Sequence, residues 1–247
     1  MKNPIFYFIV VVIVAIIIVK CFFSKKAIIK RKLKKTEKKR IVEFKAGDVA
    51  KIVGKVEFVD AALIAPLSKR ECAYYYIHVE QKVSSGKSSY WKTLVKEELS
   101  CRFVIREEDS CAYINDNNLK SYIVQDRNYS VGFMNDATDN LEQYLHSRGH
   151  ESEGFLGMNK TLRFNEGVLE KDEEIAVFGH GVWKDATQLK LPAEYGRILE
   201  ITSPPNDAVY LSDDTDTTKK KVIKAHADSN DYNFEKRYKQ NEKRYRE

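Results

Sequence analysis

Ile5 to Val19 is an unbroken apolar run of 15 residues, and it constrains this chain more than any other feature. With Pro4 before it and Lys20, Cys21, Phe22 and Phe23 after it, the stretch reaches 20 residues. A helix of about 20 residues spans the roughly 30 Å hydrocarbon core of a bilayer. Lys20 falls near one end, where its long stem can carry the ammonium out to the headgroups. A cleaved signal peptide is the competing reading. No small-x-small cleavage site follows, and Lys20 rather than a small residue precedes Cys21. Residues 1–23 therefore read as an uncleaved transmembrane anchor. No second apolar run of spanning length occurs, so a single pass is expected.

Charge supplies the orientation. Residues 20–40 hold eleven Lys/Arg and one acid, Glu37, while Lys2 is the one charge before the run. The positive-inside rule then places the N-terminus outside and the rest of the chain in the cytoplasm. Four scattered cysteines with no need to pair fit that compartment. Residues 24–47 read as a basic juxtamembrane linker, and the charged segment 20–40 has two compatible readings. It is a solvated charge run that continues the helix, with Ile29 and Leu33 four apart. It is also a clamp on anionic headgroups, each basic residue near the surface contributing about 1 kcal/mol. The residues expected at the membrane surface are Lys20, Lys25, Lys26, Lys30, Arg31, Lys32, Lys34 and Lys35.

The formal net charge of +6 hides a division. Residues 41–218 hold 20 Lys/Arg against 30 Asp/Glu, a net charge of −10. A nucleic-acid-binding domain needs a basic face of its own, so no nucleic-acid partner is expected. Membrane lipid and an unknown protein are the expected partners.

Short alternating runs dominate from residue 48. In Val49–Val59, Ile52, Val56 and Phe58 share one face, and Lys51, Lys55 and Glu57 share the other, as in a half-buried strand. Gly54 inside it marks a bulge or a close backbone approach. Cys72–Gln81 and Trp91–Val95 read as a hairpin turning at Ser84–Lys87. Cys101–Arg106 and Ala112–Ile114 read as another, turning at Glu107–Ser110. Ser121–Gln125, Thr161–Phe164, Glu174–Trp183, Gln188–Leu191, Arg197–Thr202 and Ala208–Leu211 are strand-like. Gly179 and Gly181 suggest a bulge at His180. One helix is convincing, capped by Asp136 or Thr138, striped by Leu141, Tyr144 and Leu145, and ended by Gly149. The expected body, 48–213, is mainly β: a β-rich α+β domain forming a partly open barrel or sandwich of short antiparallel strands with one main helix. Residues 214–247 read as a charged tail, disordered or loosely helical.

Catalytic patterns are missing. Ser85-Gly86-Lys87-Ser88 lacks the upstream glycine and the strand-loop-helix context of a phosphate loop. No pair among the four cysteines and five histidines has zinc-site spacing. His180, His78 and Cys72 are isolated candidates for base or nucleophile. The acids Glu170, Asp172, Glu173 and Glu174 lack the spacing of a calcium loop. No cofactor is expected.

Several phrases occur in a telling order: Gly54-Lys55-Val56-Glu57, Leu63-Ile64-Ala65-Pro66-Leu67-Ser68, Glu71-Cys72-Ala73-Tyr74-Tyr75, Val79-Glu80 and Trp91. Arg163-Phe164-Asn165-Glu166-Gly167-Val168-Leu169 and Asp172-Glu173-Glu174-Ile175-Ala176-Val177-Phe178-Gly179 follow. The series resembles the GIDE domain of MULAN-type mitochondrial ubiquitin ligases and of many shorter prokaryotic membrane proteins, over about residues 48–211. The chain departs from the pattern where Ser110 and Asp172 replace turn glycines. In the ligases a RING finger follows and carries ubiquitin transfer on eight Cys/His ligands. This chain has nine such residues, and His226 alone follows the body. The resemblance therefore implies a membrane-tethered sensing or interaction module without the RING chemistry. A ligase-like transferase and an envelope tether on anionic lipid are the alternatives. Arg163, Glu166 and Glu173 are the candidate interaction residues. Glu166 reads as a buried or cleft acid that takes a ligand or partner, or as one half of an Arg163–Glu166 pair holding the next strand.

Overall fold

A computed structural model describes residues 4–131, 138–151 and 160–219. The order is α1 (Pro4–Phe22), α2 (Lys25–Lys35), β1 (Val49–Phe58), β2 (Leu63–Ile64), β3 (Glu71–Cys72), β4 (Tyr74–Ser85) and β5 (Ser88–Ser100). Then come β6 (Phe103–Glu107), β7 (Ser110–Ile114), β8 (Leu119–Tyr122), β9 (Arg127–Val131), α3 (Asp139–Ser147) and β10 (Leu162–Leu169). The last are β11 (Glu174–Asp185), β12 (Arg197–Thr202), β13 (Val209–Ser212) and α4 (Thr215–Thr218). The chain is mainly β, as its alternating runs predict. The tail from residue 220 on lies outside the described residues, as does Asp136.

The expected partly open barrel is closed. Strands run β1-β6-β7-β12-β11 and return to β1, through seven residue pairs from Val49↔His180 to Lys55↔Glu174. All these pairings are antiparallel except β7 with β12. This is the connectivity of an OB-type barrel, which by itself carries no function. Outside it, β13 pairs with β11 and β8 pairs parallel to β13. Gly54 sits where β1 meets β6. A Cβ there would meet the Arg106 carbonyl oxygen at 2.5 Å, so the glycine serves a close backbone approach. No register shift occurs at His180. Instead β11 passes there from β1 to β12.

Two insertions build a second layer. Residues after β1 supply β4 and β5, and residues after β8 supply β9 and β10, in one antiparallel sheet ordered β5-β4-β10-β9. Its core joins Tyr75, Ile77, Val79, Leu162, Phe164 and Val168 to Leu141, Tyr144 and Leu145 of α3. The barrel core is separate and centres on Ile52, Val56, Ile105, Ile175, Val177, Leu199 and Ile201.

Three local expectations change. The outer face of β1 is covered at Lys51 and Val53, which are both buried, while Lys55 farther along it stays exposed. Ile29 and Leu33 of α2 pack in one cluster with Val53, and the Lys51 ammonium donates to the Thr217 carbonyl of α4 at 3.0 Å. Residues 188–191 are not a strand. Ala186–Leu189 is a 3-10 turn opened by Asp185, whose carboxylate accepts from the Thr187 N–H. The body also carries more than one helix, since α2 is docked onto it.

Among the described residues no single helix is long and apolar enough to cross a membrane. The pair Tyr7–Phe22 and Lys25–Lys35, bent by 56°, meets length and composition together.

Candidate functional site

The bend between α1 and α2 is built from identifiable contacts. Ser24 caps α2, its hydroxyl accepting from the Ala27 N–H at 3.2 Å. The Arg31 guanidinium donates to the Phe22 carbonyl at 2.7 Å and lies 4.0 Å over the Phe22 ring. One side chain thus satisfies a terminal carbonyl of α1 and ties that helix to α2. On the opposite side Ile29 and Leu33 are wholly buried against Phe178, Tyr210 and Ala208. The i, i+4 spacing puts them on one stripe. Capping, stripe and guanidinium together fix where the apolar helix leaves the body.

The basic segment is paired with the acidic body. Lys25 meets Glu98 at 3.0 Å, Lys32 meets Asp207 at 2.6 Å and Lys34 meets Asp216 at 2.8 Å. Lys30 meets Asp214 at 2.8 Å and Asp216 at 3.1 Å. Farther on, Lys38 pairs with Glu107, Lys39 with Asp48 and Arg40 with Glu108. The pairs with Lys34 and Lys30 hold the Asp216 carboxyl down at about 2. Partly exposed pairs contribute about 0–1 kcal/mol each, so the set specifies position more than it adds stability. Lys20, Lys26 and Lys35 have no carboxylate partner among the described residues. Four of the eight cations expected at the membrane surface are thus committed to the body's carboxylates, and Arg31 to α1.

Two adjacent glutamates of β5 organise the rest. Successive strand residues point to opposite faces. Glu97 accepts from Tyr75 at 2.5 Å, from Tyr144 at 3.1 Å and from both arms of Arg148, locking α3 to the sheet. Glu98 accepts from Tyr74 at 2.5 Å, Ser121 at 3.0 Å and Lys25 at 3.0 Å, joining sheet, β8 and α2. Burial opposes the charge on Glu98, and the Tyr74, Lys25 and Ser121 donors outweigh it, so its carboxyl is held below the usual range. Nothing in the sequence distinguishes Glu97 and Glu98 from a solvated charge pair.

The structure does not bring Arg163, Glu166 and Glu173 into one site. Leu162–Leu169 is one continuous strand, so residues three apart face opposite sides. Arg163 pairs with Glu80 at 2.5 Å and lies 4.3 Å over the Trp91 ring, bracing the β4–β5 hairpin. Glu166 is wholly buried and accepts from the N–H groups of Leu67 and Ser68 at 2.9 and 3.0 Å. It holds the Ala65–Ser68 turn. Glu173 accepts from the Glu170 N–H at 2.9 Å, and burial pushes its carboxyl up. Asp172, in place of the turn glycine, has φ +65°, the left-handed geometry that Asp tolerates.

The isolated chemical candidates are occupied structurally. Burial pushes the Cys72 thiol up to about 12, which leaves it a poor nucleophile. His78 lies 3.1 Å from the Thr93 hydroxyl and His180 lies 3.4 Å from that of Thr202. Among the described residues no group of three or more His, Cys, Asp or Glu is placed to hold a metal ion.

One buried acid sets a pH dependence. Asp213, whose two oxygens accept from the Val124 N–H at 2.9 and 3.0 Å, is pushed up to about 7 by burial, with Glu173 and Asp126 adding repulsion. An unfolded aspartate titrates near 3.9. The folded state thus binds the extra proton between pH 4 and 7, and stability falls as pH rises through that window. Asp213→Asn keeps an acceptor for Val124 and removes the buried charge. It is expected to stabilise the protein at pH 7.5 by on the order of 2 kcal/mol and to change little at pH 4. Thermal melts at the two pH values check this.

No family model, no curated protein and no solved structure matches this chain.

Proposed function

We propose that the protein is a single-pass membrane-anchored interaction module, its GIDE-like β domain held at the cytoplasmic face and without catalysis of its own. The observation that carries this reading is the joint made by α2. The apolar α1 runs into a helix whose buried Ile29 and Leu33 fasten it to the barrel. A module meant to present a surface at a membrane needs such a fixed exit.

The surface presented in this reading is the β4–β5 hairpin. Among the described residues β5 ends its sheet, so one edge of its backbone is left for pairing. Tyr90 is half exposed, and Arg163 stiffens the arm through Glu80 and Trp91. The net charge of −10 over residues 41–218 and the pairing of the basic segment argue against nucleic acid. The orientation follows the excess of Lys/Arg after α1.

A photo-crosslinker placed at position 90 of the full chain in native membranes tests the reading. A discrete protein adduct is expected from position 90 and not from Ile64, which is equally exposed on another part of the surface. Equal adducts from both positions, or none from either, would contradict it.

A further inference from the structure

We infer that the cavity beneath the first turn of α2 is a binding site for the phosphate of an anionic phospholipid headgroup. This rests on the membrane reading above and adds a specific ligand site to it. The cavity measures about 220 Å³, and its lining includes Lys25, Lys26, Lys96, Tyr76, Tyr122 and Glu98. Three lysines thus line it with one carboxylate. That carboxylate is already engaged by Tyr74, Ser121 and Lys25. Lys26 and Lys96 have no carboxylate partner among the described residues, and Lys26 sits 4.8 Å over the Tyr122 ring. The Tyr76 and Tyr122 hydroxyls make no hydrogen bond among the described residues, leaving two neutral donors beside the excess positive charge.

Two further observations point to phosphate and to a lipid source. The 11-residue α2 begins at the cavity, and a helix N-terminus presents N–H groups and a positive dipole end to anions. Lys25 and Lys26 are also only three and four residues past Phe22, the last residue of α1. Phe22 and Phe23 are exposed there, as aromatic side chains at a membrane interface are. A headgroup beside α1 would meet the cavity at its own depth, whereas a soluble phosphate would need no such placement.

The test uses the full chain in detergent micelles, titrated with phosphatidylglycerol or phosphatidylcholine and read by native mass spectrometry. Wild type is expected to retain phosphatidylglycerol in preference to phosphatidylcholine. Lys26→Gln with Lys96→Gln removes two exposed cations and should weaken that retention about tenfold, the order set by basic groups close to an anionic surface. Lys45→Gln with Lys55→Gln removes the same charge away from the cavity and should leave retention within about twofold. Equal losses in the two double variants, or no loss in the first, would overturn the site. Displacement of phosphatidylglycerol by millimolar inorganic phosphate would overturn the lipid assignment. Carbonate washing of membranes holding the same proteins separates the two claims. Release of wild type refutes the anchor, while retained protein without headgroup preference refutes the cavity site alone.

Discussion

Leu33→Asp is expected to strip α2 from the barrel while the barrel stays folded. Leu33 is wholly buried with Ile29, Val53, Phe178 and Tyr210, in a cluster separate from the barrel core. Truncating a buried leucine costs about 2–5 kcal/mol, and a carboxylate at that position adds the penalty of an unpaired buried charge. The helix has a cheaper course, which is to leave. Beside Ile29, its remaining hold is a set of partly exposed ion pairs between Lys25, Lys30, Lys32, Lys34 and the body, each contributing about 0–1 kcal/mol. An 11-residue helix without a packed face is marginal in water. The variant should therefore be cut by trypsin within residues 25–40 at least tenfold faster than wild type, since 1.4 kcal/mol already corresponds to about tenfold. Ile28→Asp, on the exposed side of the same helix, should cut like wild type. Unchanged cleavage of Leu33→Asp would mean that the basic segment is not docked.

Glu166→Ala is expected to unfold the second layer rather than to abolish a binding surface. The side chain is wholly buried, and its two oxygens are the acceptors of the Leu67 and Ser68 N–H groups. Removing it orphans two backbone donors near the buried Leu67, and each costs about 1–3 kcal/mol. A loss of about 3 kcal/mol or more follows, large against the 5–15 kcal/mol of a typical domain. Glu166→Gln retains one acceptor and turns an N–H₂ toward the second donor, so an intermediate loss is expected. Denaturant midpoints check the order. A stable Glu166→Ala protein that no longer captures its partner would restore the interaction reading of this acid.

Much of the local structure is legible in the chain because strands alternate. The 73–100 hairpin, its turn at Gly86 with φ +58°, the 107–110 turn and α3 lie where periodicity and turn residues put them. What joins these pieces is not legible. Closure of the barrel depends on β1 meeting β11, over a hundred residues later, and on the parallel β7–β12 and β8–β13 pairs. Such pairings leave no periodic trace. Gly54 carries a trace only because the backbones approach too closely there for a Cβ.

The site shows the same limit from another side. Ile29 and Leu33 are visible four apart, but the lysines around them read as a solvated run. Only the acids at 98, 207, 214 and 216, far away in sequence, reveal that this face is docked. The opposed charges of segment and body, +10 for 20–40 and −10 for 41–218, are legible as numbers. Their meeting is not. Arg163 and Glu166 fail as a pair because the stretch between them is strand, and strand geometry sends them to opposite faces. A single strand over 162–169 is incompatible with that pair.

In the proposed reading α1 anchors this body in a bilayer and α2 sets only its posture there. Alkaline carbonate extraction of membranes from cells making the full chain, Leu33→Asp and a chain beginning at Ser24 tests it most directly. The full chain and Leu33→Asp are both expected to remain in the pellet, while the shortened chain is released. Release of the full chain would contradict it.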